Sequence, residues 1–367
     1  MTTVADIVAA VDRLAPFALA ESWDNVGLLL GDAARPVRRV LVCLDVGEAV
    51  CEEAERRRAE VVLSHHPLLF KDVNRLTAET RHGRLALRLA GGGRACIAAH
   101  TNLDAAEGGL CDILARRLGL ADLEPLRPEP EGSRHYKVVV FVPEGDLEAV
   151  RAAAFEAGAG RIDRYTECSF SVAGDGTFRP GAGSRPAIGA RGRPSTVRER
   201  RLEVRADEAR LGRVLKAVAR AHSYEAPAID VYPLRAVPGR ASIGRVGRPK
   251  NSSTAADLAD DLKRALGLRS VMIAGPVRRR IERVAVVTGG GDGLADAVAA
   301  SGAQAYVTGE LKLHYLQDLA ARGVAVVLGG HWETERMPLA AWARRLARET
   351  DAQVVMSRRE ASPLRSV

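Results

Sequence analysis

The chain has 367 residues, 47% of them hydrophobic and 27% charged, with a net charge of +8. This is the composition of an ordinary soluble globular protein, long enough for two or three domains. No window reaches the roughly 18 consecutive apolar residues of a membrane helix, and the N-terminus lacks a signal-peptide pattern, so no membrane partner is expected. The five cysteines are scattered and form no CxxC pair, which fits free thiols in a reducing cytoplasm. The positive charge is nearly all arginine, interleaved with acids and without an aromatic stacking platform. It reads as compositional bias, and nucleic acid is not the expected partner.

Thr3-Val4-Ala5-Asp6 has the form of a helix cap, and apolar residues at helical spacing follow over residues 4–14. A polar turn with Trp23, Asp24 and Asn25 leads into a short apolar strand. Asp24 and Asn25 are turn formers or approach a site, and the turn reading leads. A strand over 39–45, a helix over 47–58 and a strand over 61–64 follow. This last strand ends at His65-His66-Pro67. Regular strand geometry would send the two imidazoles to opposite faces; they converge only if the chain leaves that geometry. A helix over 80–90, a strand over 95–99 ending at His100-Thr101-Asn102-Leu103-Asp104, and a helix over 107–118 complete an α/β pattern covered on both faces.

Residues 124–134, rich in Pro, Glu and Gly, read as a linker. The next hundred residues have the order β-α-β…β-α-β of a ferredoxin-like split βαβ domain. Within them, 177–201 reads as an arginine-rich, Gly/Pro-rich connector. From about 240 the α/β style returns. Strands end at Gly289–Gly293, at Thr308-Gly309-Glu310 and at Gly329-Gly330-His331. A helix carries Glu310 and His314, and Pro338 marks the start of a last helix over 336–349. The glycine loop 289–293 lacks both phosphate-loop patterns and reads as a plain strand–helix turn. His222 and Glu225 read as a surface pair rather than a metal site.

Four polar clusters thus follow apolar strands: His65/His66, His100/Asp104, Glu310/His314 and His331/Glu335. Strand carboxyl ends are where α/β sheets bind ligands, so the four can share one rim. Five of the eight histidines lie in these clusters. Imidazole and carboxylate without thiolate suit Zn, Fe, Mn, Co or Ni. The set is too large for a single three-ligand zinc and about right for two divalent metals bridged by a carboxylate. Glu335 follows His331 by four residues and shares its face if that turn is helical.

Trp23-Asp24-Asn25-Val26-Gly27-Leu28, Ser64-His65-His66-Pro67-Leu68, His100-Thr101-Asn102-Leu103-Asp104, Thr308-Gly309-Glu310 and Gly330-His331 with Thr334-Glu335 occur in order along nearly the whole chain. In this set the chain resembles the Nif-three-like proteins, also called GTP cyclohydrolase 1 type 2 homologues. The resemblance implies a dinuclear metal centre with His65, His66, Asp104, His331 and Glu335 as ligands and Glu335 bridging. His100, Glu310 and His314 would line the pocket, with His100 and Glu310 moving protons. It also implies two similar three-layer α/β lobes, residues 1–128 and 240–367, forming one metal-binding unit in a homo-hexamer. The ferredoxin-like α+β domain, 134–236, would be inserted between them. This insert is similar to PII and copper-tolerance folds through Phe178-Arg179-Pro180 and His222-Ser223-Tyr224-Glu225. Two departures stand out: the arginine density of the loop, and Leu313 where many members have histidine. The implied activity is metal-dependent hydrolysis of a nucleotide or phosphate-containing substrate, nominally cyclohydrolase-like. The alternative is a non-enzymatic hexamer that stores or senses metal or binds a partner.

Overall fold

The computed structural model describes residues 2–71, 73–127, 135–162, 165–234, 241–250 and 253–364. The chain divides into two compact units, Met1–Gly132 with Pro238–Val367, and Ser133–Val237. Most of the linker expected at 124–134 lies outside the described residues, and its first residues belong to a strand, Leu120–Pro125.

The larger unit holds a five-stranded and a six-stranded sheet. In the first, Arg39–Cys43, Val61–Ser64 and Ala95–Ala98 run parallel, with Gly27–Leu30 antiparallel on one edge and Gln353–Met356 parallel on the other. In the second, Val284–Val286, Ala305–Thr308 and Ala325–Leu328 form the parallel core, and Met272–Ala274, Arg245–Pro249 and Leu120–Pro125 are antiparallel additions. Each sheet takes an edge strand from the far half of the sequence.

The continuous apolar strands reflect burial on both faces. Val40, Val42, Val61, Leu63 and Ile97 join one core, and the alternate residues Leu41, Cys43, Val62 and Cys96 join another. The second sheet repeats this with Val284, Val286 and Val307 against Ala285, Tyr306 and Val326. The two α/β halves also share a device: Thr3 with Asp6, and Thr254 with Asp257, close reciprocal capping boxes at the starts of Val4–Leu14 and Ala255–Leu266. Among the described residues no helix is long and apolar enough to cross a membrane.

In the smaller unit, four antiparallel strands lie in the order Ser169–Phe178, Ser195–Asp207, His135–Pro143, Ile229–Leu234. Helices Leu147–Glu156 and Glu208–Ala221 pack on one face through Val150, Val214 and Val218. Residues 195–201, expected in the connector, are strand. Alternate arginines there hide the strand pattern, because Arg198 and Arg200 reach out to Asp175 and Glu144.

The C-terminal tail braces the first sheet. Ser357 donates its backbone N–H to Val42 (2.7 Å), and Leu44 donates to Glu360 (2.7 Å). Buried Glu53, on the helix Glu48–Arg57, accepts from Ser357 Oγ (2.7 Å), the Arg358 N–H (3.0 Å) and Arg57 (2.8 Å). Burial works to raise its pKa, but these donors outweigh it and hold the carboxyl below its ordinary 4.5. Its stabilising contribution is therefore present above about pH 4.5 and is lost as the pH falls through the lower folded value. Urea denaturation should show Glu53→Gln less stable by about 1–3 kcal/mol at pH 7, with the gap shrinking in acid.

Candidate metal centre

The carboxyl ends of both parallel cores meet at one cluster of side chains. Strand Val61–Ser64 delivers His65 and His66. Their backbone N–H groups still pair with Cys43 and Leu44 (3.1 and 2.9 Å), but the chain bends there and the ring centroids lie 5.1 Å apart. The rings therefore converge instead of diverging. Strand Ala95–Ala98 leads to His100, whose ring is 5.1 Å from that of His65, and to Asp104 on the short helix Thr101–Ala105. From the second sheet, Ala325–Leu328 leads through Gly330 (φ 86°) straight into the helix His331–Leu346. The last helix thus starts five residues before the expected 336, and Pro338 is internal to it. That early start places His331 and Glu335 one turn apart on one face.

Buried Glu335 is the centre of the cluster. Its Oε1 lies 3.2 Å from His331 Nε2 and 3.8 Å from His65 Nε2, and its Oε2 lies 3.1 Å from His66 Nε2. Asp104 Oδ2 is 3.6 Å from His65 Nε2. Each ring is turned inward by an acceptor behind it. His65 Nδ1 donates to the Ala99 carbonyl (2.8 Å), His66 Nδ1 to Asp45 (3.0 Å), His331 Nδ1 to Glu310 (2.9 Å) and His100 Nδ1 to Asp24 (2.9 Å). These bonds fix the tautomers with every Nε2 facing inward, the outer-shell arrangement common around metal-ligating histidines. The His65, His66 and His100 nitrogens form one group compact enough to hold a metal ion, and His66, His331 and Glu335 form another. His65 Nε2 and Glu335 Oε2 are buried and make no aligned hydrogen bond. Two such buried, unpartnered atoms in one cluster fit a bound cation.

Other residues of the same motifs hold these in place. Asp24 accepts from the Thr101 N–H (3.0 Å) and hydroxyl (2.5 Å) as well as from His100, so it belongs to the site rather than to a free turn. Asn102 ties the helix start to Ala15 (2.7 Å). Thr288 donates to Asp104 (2.9 Å). Buried Arg245 donates to the Ala106 carbonyl (3.0 Å) and Asp112 (2.8 Å), anchoring the end of the helix that carries Asp104. The glycine loop also has a packing reason. At Gly289 (φ 65°) a Cβ would sit 2.0 Å from Glu335 Oε1, so only glycine lets the carboxylate in.

Glu310 precedes the helix Leu313–Ala321 and does not ride on it; its backbone bridges to the glycine loop, and its side chain orients His331. His314 is exposed on that helix with its ring tilted against Tyr315 at 4.2 Å, and it is in neither group of potential metal ligands found among the described residues. Asp45 and Thr288 were missed as functional residues, and for Asp24 the turn reading led over its approach to a site. Asp45 carried the one available signal, a carboxylate directly after a parallel strand.

Charge balance follows the geometry. Burial works to raise the Glu335 pKa, but the three imidazoles overcome it and hold the carboxyl well below the usual range. Asp104 is pushed up by burial. Burial works to lower the His66 pKa, yet Asp45 and Glu335 raise it to about 10; Glu335 lifts His331 to about 9. Without a metal, the His66–Glu335 attraction is therefore fully present below the ordinary imidazole value of 6.5 and is lost as the pH rises through about 10. In chelator-treated protein, an NMR titration of Glu335→Gln should find the His66 pKa moved back down toward 6.5.

An α/β protein with an imidazole–carboxylate cluster at the strand ends of two sheets is the class that fold and site define. The chain belongs to the Duf34/NIF3 (NGG1p interacting factor 3) family, which it matches over residues 2–363. It is 40% identical over 335 residues to the GTP cyclohydrolase 1 type 2 homolog of Mycobacterium tuberculosis, covering 90% of this chain and 88% of that one. It is 36% identical over 325 residues to the homolog of the same name from Halalkalibacterium halodurans, covering 89% and 87%. A Bacillus cereus protein related to NIF3 has a similar structure, with TM-score 0.68 and 32% identity over 100% of this chain and 99% of that one. A Staphylococcus aureus protein gives TM-score 0.78 at 27% identity over the same shares.

Proposed function

We propose that the cluster is a dinuclear metal centre of a hydrolase acting on a nucleotide or phosphate-containing substrate. The observation that carries this reading is the Glu335 carboxylate, with one oxygen beside His65 and His331 and the other beside His66. His65, Asp104, His66 and His331 would be the remaining ligands. Bound divalent cations supply Lewis-acid polarisation and water activation. The chain's own residues do the rest. Asp24 holds His100 with Nε2 toward the centre, so His100 is placed to take or give a proton there. Asp45 and Glu310 keep His66 and His331 in their ligating orientation. The name carried by relatives at 36–40% identity supports nucleotide chemistry as the first substrate class to test.

At the level of the fold, the same reading treats the two sheets of the larger unit as paired lobes. The smaller unit, with its β-α-β-β-α-β order, is a ferredoxin-like insert.

Two measurements test the proposal. Metal analysis with a hydrolysis screen of GTP, other nucleotides and phosphodiesters should find two metals per chain in the wild type. Glu335→Gln should lose both turnover and full loading. Wild-type turnover in that variant sinks the hydrolase reading, and absence of turnover on any substrate moves the assignment to a metal-binding protein. In a competition assay, Asp45→Ala should weaken metal affinity by about 10–100-fold, because His66 loses its orienting acceptor.

A further inference from the structure

Three segments outside the metal centre remain to be explained: Phe178-Arg179-Pro180, the arginine-rich loop and His222-Ser223-Tyr224-Glu225. In the smaller unit they enclose one cavity of about 500 Å³. That is the size of a small-molecule site. The loop is shaped by its own bonds and is not a loose connector. Ser184 Oγ donates to the Gly181 carbonyl (2.8 Å), Gly192 N–H to Pro180 (2.8 Å) and Arg191 to the Ser184 carbonyl (2.8 Å). The Arg185 N–H donates to Glu225 (2.9 Å), which fastens the loop to the opposite wall. That wall is fixed by His222, which is buried and uses both ring nitrogens: Nε2 donates to the Phe141 carbonyl (2.9 Å) and Nδ1 accepts from the Tyr224 N–H (3.0 Å). His222 is therefore a structural residue, neither a surface group nor a metal ligand.

The lining has a definite chemistry. Phe178 and Tyr224 meet edge to face at 5.7 Å, with Ile188 and Pro186 completing an apolar wall. Half-buried Glu199 stands among them. It accepts from the Tyr224 hydroxyl (3.1 Å) and lies over the bare backbone of Gly176, where a Cβ would come within 2.2 Å of Oε2. Its neighbours Arg198 and Arg200 turn away to Asp175 and Glu144, so Glu199 has no ion-pair partner among the described residues. Of the other charged lining groups, Glu225 is engaged by the loop and Arg179 is exposed. A lone carboxylate set between aromatic rings attracts a cation that is itself partly apolar.

We propose that this cavity binds a small organic cation, an amine or quaternary ammonium on an apolar body, with Glu199 facing the charge and Phe178 and Tyr224 packing around it. The site is independent of the metal reading. Benzyltrimethylammonium is a suitable probe because it has no lone pair with which to ligate a metal. Calorimetric titration of the full-length protein should show saturable binding of this probe, little binding of benzyl alcohol, and affinity weakened about tenfold by Glu199→Gln. The amide of that variant still accepts from Tyr224, and an unchanged thermal midpoint confirms folding. If the variant does not fold, the wild-type comparison of the probe with benzyl alcohol and phenylacetate decides alone. Equal binding of benzyl alcohol reduces the site to an apolar cavity. Preference for phenylacetate makes it an anion site of Arg179. Either result, or no saturable binding of the cation, overturns the proposal.

Discussion

A buried carboxylate surrounded by three imidazoles is the constraint on which the larger unit depends. Glu335 is nearly inaccessible, and an unpaired charge at that depth would cost several kcal/mol. Its neutralisation requires His65 and His66 from one sheet and His331 from the other. The two parallel cores must therefore bring their carboxyl ends together. The exchanged edge strands Leu120–Pro125 and Gln353–Met356 cross-link the two halves that make this meeting possible.

The backbone around the cluster gives way to the same demand. Gly289 leaves room for the carboxylate, and at Gly309 a Cβ would come within 2.7 Å of the His331 Cα. Thr334 accepts from the Gly289 N–H, so one turn of helix holds both the site and the loop that covers it. Behind the rings, Asp24, Asp45, Glu310 and the Ala99 carbonyl form a second layer of acceptors. Helix end, glycine loop and outer acceptors act together to orient nitrogen lone pairs inward. That is the physical content of the metal-site reading.

The smaller unit shows the opposite economy. One face of its sheet is packed under two helices, while Phe170, Val172 and Tyr232 of the same sheet remain exposed. Its polar specialisation is confined to the cavity beside Tyr224. There, loop residues that look like solvated arginine sequence are organised by backbone bonds to Pro180, Gly181 and Glu225.

The parallel core strands, the strand-end histidines and the donor types were legible in the sequence because they follow from local pattern: continuous apolar runs, the capping box at Thr3, and imidazoles directly after strands, whereas the added strands Leu120–Pro125, Arg245–Pro249, Met272–Ala274 and Gln353–Met356 were not. The residue types by themselves decided that any metal here would meet nitrogen and oxygen, not sulfur. What needed the tertiary structure was everything set by contacts between distant segments. Helix His331–Leu346 begins before Pro338 because Gly330 turns the chain and Thr334 is engaged by Gly289. Asp24 reads as a turn former until His100, 76 residues away, is placed beside it. The first half of strand Ser195–Asp207 was masked by arginines whose partners, Asp175 and Glu144, come from distant segments. Local propensity writes the elements into the chain. Long-range electrostatic pairing, invisible to any window of sequence, decides which of them share a site.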